Sequence, residues 1–184
     1  QFQGEAYAFD SGQVIRGWAA LVEKVPELEQ PLRNLCDWIV NSSDPSNGRI
    51  RVPEAGKAWD LGDRGEVNEA IHLYILGPII RAGEILNEKK YIDFGRKSRQ
   101  YYLDTCSLTD FTLPNSLTHF YAYIQEALLE LECEDIARKG MESAAQYQQA
   151  TGCVPAYSNV QWVCTPGLAQ LAQVWYRLGE HERA

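Results

Sequence analysis

Four segments of this chain are apolar almost all round, and they alternate with segments that are apolar on one face only. The apolar segments cover residues 10–24, 68–86, 116–132 and 165–180, and each begins with small or polar residues that suit a helix N-terminus. A helix without a polar face belongs in an interior. This alternation constrains the fold most, because each apolar segment needs neighbouring helices to cover it.

The intervening segments read as amphipathic helices over residues 28–43, 90–104 and 134–150. Pro31 falls in the first turn of its helix, where its missing N–H is harmless. In each segment, four residues at helical spacing share one face of the predicted helix. These residues are Leu28, Leu32, Leu35 and Ile39 in the first segment, Tyr91, Gly95, Ser98 and Tyr102 in the second, and Ile136, Gly140, Ala144 and Tyr147 in the third. Apart from a short GRIRV piece, residues 48–52, no strand pattern is visible.

The alternation predicts an all-α protein built from repeated helical hairpins. In a straight solenoid both helices of a pair are comparably amphipathic, whereas here the first is consistently more apolar, which favours two concentric rings, an α/α toroid. We expect a single domain over residues 1–184, forming about three and a half hairpins of an incomplete (α/α)6 ring. An open ring exposes apolar faces, so we expect either a fragment of a longer ring or a partial ring that covers its ends by self-association.

Composition excludes several partners and indicates a compartment. The formal net charge is −8 and the pI is about 4.9, which disfavours nucleic acid and anionic membranes as partners. No apolar run reaches the ~20 residues of a membrane span. The five cysteines are odd in number and lack CxxC spacing, which indicates a reduced, cytoplasmic protein. We expect neither a metal site nor a cofactor.

In a toroid, the N-terminal ends of the inner helices and the long loops gather around one mouth of a central cavity. Asp10 and His119 are the candidates there for general acid and base catalysis. Aromatic faces suit sugar C–H groups, and polar tips bond hydroxyls. The substrate-binding candidates are Gln13, Trp59, Asn68, His72, Tyr157 and Trp162.

Structural explanations compete with these roles. Asp10 also suits the N-cap of its helix, and a cap can coexist with a catalytic role. His72 and His119 each lie about one turn into a helix, where a core histidine bonded to a carbonyl is common. Trp59 and Trp162 lie outside the helices and are therefore better ligand candidates than the helical tryptophans.

Three pieces, FDSGQVIRGW, SLTHFYAYIQEALLE and WVCTPGLAQLAQVWYRLGE, resemble inner helices of bacterial α/α-toroid proteins found with polysaccharide-biosynthesis genes. More remotely, the chain is similar to six-hairpin glycosidases, sugar 2-epimerases and terpenoid-cyclase-like toroids. The resemblance implies an (α/α)6 ring and a carbohydrate connection. It places motif positions at Asp10, Gln13, Asn68, His119 and Gln170, while CTPG stands where a CLTGN-like stretch is expected.

Three functions follow as hypotheses. The first is a carbohydrate-active or carbohydrate-binding toroid, acting as a lyase, hydrolase or epimerase on a polysaccharide or its precursor. The second is a non-catalytic helical-repeat scaffold that binds a glycan or a partner protein. The third is an isoprenoid or protein-lipid enzyme, which needs a diphosphate site and a metal, and the sequence lacks the DxDD pattern of protonation-initiated cyclases.

Overall fold

The computed structural model describes residues 7–51, 69–113 and 116–184, and its regular secondary structure in these ranges is helical apart from one β-bridge. The α-helices are α1 (Ala8–Leu21), α2 (Glu29–Asn41), α3 (Leu73–Ile85), α4 (Lys89–Thr105), α5 (Thr118–Glu130), α6 (Glu134–Ala145) and α7 (Thr165–Arg177). Short 3₁₀ turns, Pro26–Leu28 and Glu69–His72, precede α2 and α3. The prediction of an all-α protein is confirmed, and the predicted segments match these helices closely.

The one pairing of extended backbone in the described ranges is an antiparallel bridge between Ser43 and Ile50. Ile50 belongs to the GRIRV piece that the sequence set apart from the helices. None of the helices described is long and apolar enough to cross a membrane.

Contacts divide the chain into two compact units. Unit 1 consists of the described residues within Gln1–Asp60 and His72–Thr105, and unit 2 of those within Leu61–Ile71 and Cys106–Ala184. Unit 1 therefore holds α1 to α4, and unit 2 holds α5 to α7. The single domain predicted from the sequence stays a prediction.

In unit 1, α3 packs against α1, α2 and α4. The approach of α1 to α3 is close because Gly12 has no side chain. A Cβ atom there would lie 2.2 Å from Cγ2 of Ile75. The glycine thus sets the spacing of the two helices.

Pro78 lies inside α3 and cannot donate to the carbonyl of Tyr74, one helical turn earlier. Arg16 of α1 supplies a donor instead, with Nη2 at 3.1 Å from that carbonyl oxygen. The same guanidinium lies 4.5 Å from the centroid of the Tyr74 ring. A side chain of α1 therefore bonds the carbonyl that the proline leaves without its helical partner.

In unit 2, α5 packs against α6 and α7 around a core that includes Phe111, Tyr121 and Trp175. The Tyr121 hydroxyl donates to the carbonyl of Gly140, at 2.8 Å. Gln125 is fully buried, and its amide donates to the carbonyl of Leu108, also at 2.8 Å. The core of this unit thus combines aromatic packing with buried hydrogen bonds.

The odd-numbered helices, which correspond to the apolar segments, differ in burial. Helices α3 and α5 each bury eight residues, spread around most of their circumference. Helices α1 and α7 each bury a single stripe, and Val14 and Leu21 of α1 are 41% and 48% exposed. The extensive burial that the apolar pattern predicts is therefore present in α3 and α5, whereas α1 and α7 are buried along one side only. Each packs on two described helices, α1 on α2 and α3, and α7 on α5 and α6.

The ends of α3, α5 and α7 repeat one backbone pattern. In each, the second residue after the helix cap donates its N–H to a carbonyl five residues earlier: Glu88 to Gly83, Cys133 to Leu128, and Glu180 to Trp175. The residue between, Asn87, Glu132 or Gly179, has a positive φ. This is the Schellman closure.

An arginine of the preceding even-numbered helix binds two of these helix ends. Arg33 of α2 pairs with Glu29 and Glu88 and donates to the carbonyl of Leu86, which caps α3. Arg138 of α6 likewise pairs with Glu134 and Glu180 and donates to the carbonyl of Leu178, which caps α7. We call this arrangement the arginine clamp. Because it occurs in both units, it marks a structural repeat.

Candidate functional site

The first turn of α5 holds a long loop of unit 2 in place. Thr118 donates through its hydroxyl to the carbonyl of Pro155, at 2.5 Å, and through its N–H to the carbonyl of Ala156, at 2.8 Å. The Ala156 N–H in turn bonds the carbonyl of Trp162, at 2.8 Å, which closes the loop between them. A buried threonine thus holds the start of the segment from Ala156 to Trp162, and the Ala156 N–H holds its end.

Two sequence-predicted residues, Tyr157 and Trp162, lie together on this loop. Their ring centroids are 5.9 Å apart with planes at 76°, an edge-to-face arrangement that supports the indole from one side. Trp162 nevertheless remains 55% exposed. An indole that is supported by its neighbour and still faces solvent can stack with a flat apolar group of a ligand.

His119 follows Thr118 in the first turn of α5. Its Nδ1 atom is buried and has no hydrogen-bond partner among the described residues, and its ring centroid lies 4.6 Å from that of Tyr123. The first turn of α7 packs against the backbone here, since a Cβ on Gly167 would lie 2.7 Å from the backbone nitrogen of His119. His119, Tyr157 and Trp162 therefore all belong to the region around the start of α5.

Sequence reasoning missed Glu126, two turns further along α5. It is 7% exposed, and no other aspartate or glutamate in the described ranges is buried. Gln170 of α7 donates to its Oε2 at 3.2 Å, and Nη1 of Arg177 lies 3.8 Å from its Oε1. The pKa of Tyr123 is raised, mainly by burial of its hydroxyl group and to a smaller extent by the negative charge of Glu126. The available signal was the seven-residue spacing from His119, which places both on one face of a helix.

Asp10 does not cap its helix, so this structural explanation is wrong. The N-cap is Tyr7, whose backbone is extended, and the N–H of Ser11 already bonds the Tyr7 carbonyl at 3.0 Å. Asp10 is exposed in the first turn of α1, where the helix dipole still favours its charge. Its carboxylate is thus accessible to a ligand.

Gln13 lies on α1 between two residues that contact Tyr74 of α3. Phe9, one turn before it, stacks on the Tyr74 ring with centroids 6.0 Å apart, and Arg16 follows it on the same face. The Nε2 atom of Gln13 is buried and lacks a hydrogen-bond partner among the described residues. An unsatisfied amide of this kind is a suitable donor for a ligand oxygen.

His72 lies inside unit 1 at the N-cap of α3, only 3% exposed. Its Nδ1 is 3.4 Å from the hydroxyl of Tyr102, which also accepts the N–H of Ile50 at 3.1 Å. Burial, with a smaller effect of Arg49, lowers the pKa of His72 to about 4. This environment matches a neutral core histidine, and substrate binding by His72 stays a prediction.

Asp10 and His119 occupy equivalent positions in the repeat. Each odd-numbered helix ends at a C-cap residue, and these are Val22, Leu86, Leu131 and Leu178. Twelve residues before the cap lie Asp10, Tyr74, His119 and Pro166, respectively. Eight residues before the cap, the eighth positions, lie Val14, Pro78, Tyr123 and Gln170. Five residues before it, the fifth positions, lie Gly17, Arg81, Glu126 and Gln173. We call the helix face defined by these three positions the variable stripe, because it carries different chemistry in each repeat.

Two predicted site residues, Trp59 and Asn68, lie outside the described residues. Within the ranges that are described, no group of three or more histidine, cysteine or acidic side chains is arranged to hold a metal ion. In comparisons with known proteins, no family model, curated protein or solved structure matches this chain.

Proposed function

We propose that this protein binds carbohydrate, and that the loop of Tyr157 and Trp162 beside the start of α5 is its contact surface. The observation that carries the proposal is the 55% exposed indole of Trp162, braced by Tyr157. Sugar rings present C–H groups that stack on such a face, while their hydroxyls seek polar partners nearby. His119, in the first turn of α5 of the same unit, supplies a buried nitrogen without a partner among the described residues.

We further propose the α/α toroid as the architecture in which this surface works. Support comes from the repeat itself: α3, α5 and α7 share a Schellman closure, and the arginine clamp recurs in α2 and α6. A toroid would turn the variable stripes of its inner helices toward a shared cavity. The resemblance to toroids encoded with polysaccharide-biosynthesis genes points to the same class of ligand. We also propose a cytoplasmic location, which suits five free cysteines.

A thermal-shift screen tests the proposal, using neutral, amino and uronic-acid oligosaccharides and nucleotide sugars. A ligand at about 100 times its Kd should add about 2.7 kcal/mol to the free energy of unfolding. Trp162→Ala should abolish the shift, whereas Tyr176→Ala, which removes another exposed aromatic ring of unit 2, should leave it unchanged. If none of these ligands changes the Tm of the wild-type protein, the proposal is wrong and a scaffold that binds a partner protein is favoured.

A second candidate function is catalysis on the bound sugar, and the equivalent positions of Asp10 and His119 favour it. A carboxylate and an imidazole at matching sites of two inner helices are suitable acid and base groups. Asp10→Asn should abolish turnover of any processed oligosaccharide and cost less than about 1 kcal/mol of stability, because only a helix-dipole interaction is lost. Unchanged turnover would leave binding as the function.

A further inference from the structure

We propose that Glu126 is the specificity-determining carboxylate of the carbohydrate site and accepts hydrogen bonds from a hydroxyl or amino group of the sugar. This inference rests on the proposed function and names the chemistry of its ligand. It places recognition on the helix face that runs from His119 through Tyr123 to Glu126, against α7.

Glu126 is buried with one hydrogen bond and one ion pair, which leaves part of its hydrogen-bonding capacity unused. A buried carboxylate is costly unless opposite charge and hydrogen bonds compensate it. Arg177 lies at 3.8 Å, beyond hydrogen-bond distance, and is itself 35% exposed. The amide of Gln170, at 3.2 Å, supplies one neutral donor, while a carboxylate can accept about four hydrogen bonds. Capacity for further donors therefore remains at the carboxylate.

Besides the two donors that face Glu126, this helix face carries buried polar atoms that have no hydrogen-bond partner among the described residues. Gln170 uses its NH₂ group on Glu126, and its Oε1 is buried without a partner among the described residues. The Nδ1 atom of His119 is buried and unpartnered in the same sense. The amide oxygen and the carboxylate fit a group rich in N–H or O–H donors, and the imidazole nitrogen accepts or donates a hydrogen bond according to its tautomer. Sugar hydroxyls and amino groups have this chemistry, whereas phosphates and carboxylates do not.

The same position in the other odd-numbered helices lacks a carboxylate, which indicates that Glu126 is not part of the repeat's framework. The fifth positions of the variable stripe are glycine in α1, arginine in α3 and glutamine in α7. By contrast, the clamp glutamates Glu88 and Glu180 recur at matching places. Glu126 thus differs from the residues at the same position of the other odd-numbered helices, as expected for a residue that binds a specific ligand.

The test compares wild type, Glu126→Gln, Trp162→Ala and the control Asp135→Asn, which neutralises an exposed acid on α6. Each is titrated calorimetrically with glucose, glucosamine and glucuronic-acid oligosaccharides, and each is melted without ligand. We expect Glu126→Gln to weaken binding about tenfold or more, since hydrogen bonds to a charged group are lost. The ligand-free Tm should stay or rise, because an incompletely paired buried charge has been removed. A larger loss with glucosamine than with glucose oligomers would identify the donor as an amine, and equal losses would identify a hydroxyl.

Three outcomes would overturn the inference. If Trp162→Ala abolishes binding and Glu126→Gln does not weaken it, carbohydrate binding stands and the role of Glu126 fails. If Glu126→Gln lowers the ligand-free Tm by several degrees while Asp135→Asn does not, Glu126 is a structural ion-pair partner. If the wild-type protein binds none of the oligosaccharides, the proposed function and this inference fail together.

Discussion

His72 shows how burial of a single residue links protonation to folding. Its pKa is lowered to about 4 in the folded state, against an ordinary value of 6.5. Between these values the unfolded chain binds the proton and the folded chain does not. The free energy of unfolding should therefore fall as the pH drops from 6.5 toward 4, by up to about 3 kcal/mol.

Urea unfolding at several pH values checks this prediction against His72→Gln. The variant should lose this part of the pH dependence, while the contributions of the carboxylates remain in both proteins. Identical slopes for the two proteins between pH 4 and 6.5 would contradict the buried, neutral state of His72.

Two glycines of α1 provide a matched pair of substitutions. Gly12→Ala would force a methyl group to within 2.2 Å of Ile75 and should destabilise the protein by about 1–3 kcal/mol or more. Gly17 has open space around its Cβ position among the described residues, so Gly17→Ala should stabilise the helix by about 0.5–1 kcal/mol. Chemical denaturation measures both values. Effects of the same sign would contradict the close packing of α1 on α3.

At the scale of elements, the arginine clamp joins an even-numbered helix to the end of the next odd-numbered one. Arg33→Lys retains the charge but loses the planar fork that reaches Glu29, Glu88 and the Leu86 carbonyl. We expect a loss of about 1 kcal/mol, since the guanidinium is partly exposed and salt screens it. Arg138→Lys should act in the same direction.

The control for the clamp is Arg96→Lys on the exposed face of α4, where we expect a change below about 0.5 kcal/mol. Urea denaturation at low and high salt provides the measurement. If Arg33→Lys and Arg96→Lys have equal effects, the clamp does not stabilise the repeat.

The helices could be predicted from sequence because their periodicity and boundary residues are local signals. The contacts between them could not, since the glutamates and arginines of the clamp look like ordinary surface pairs until two helices are placed together. Glu126 was missed for the same reason: its burial comes from α7, which lies far along the chain. The N-cap explanation for Asp10 rests on the preference of aspartate for that place, whereas the extended backbone of Tyr7 begins the helix earlier.

At the scale of the whole molecule, the net charge of −8 acts on any charged ligand before contacts form. The site proposed in unit 2 offers mainly acceptor atoms, and its arginine, Arg177, already faces Glu126. Overall charge and local chemistry thus both disfavour polyanionic glycans. Neutral and amino oligosaccharides are compatible with both the net negative charge of the chain and the acceptor atoms of the proposed site.

Salt dependence separates these ligand classes. At about 10 mM salt the screening length is about 30 Å and the whole negative surface acts on a ligand, whereas at about 150 mM it shrinks to about 8 Å. The Kd of a neutral oligosaccharide should therefore hardly change between the two conditions. A glucuronic-acid oligosaccharide should bind more weakly at low salt, and a glucosamine oligosaccharide more tightly, by several-fold in each case. Calorimetric titration measures all three, and tighter uronate binding at low salt would mean that a local basic surface outweighs the net charge.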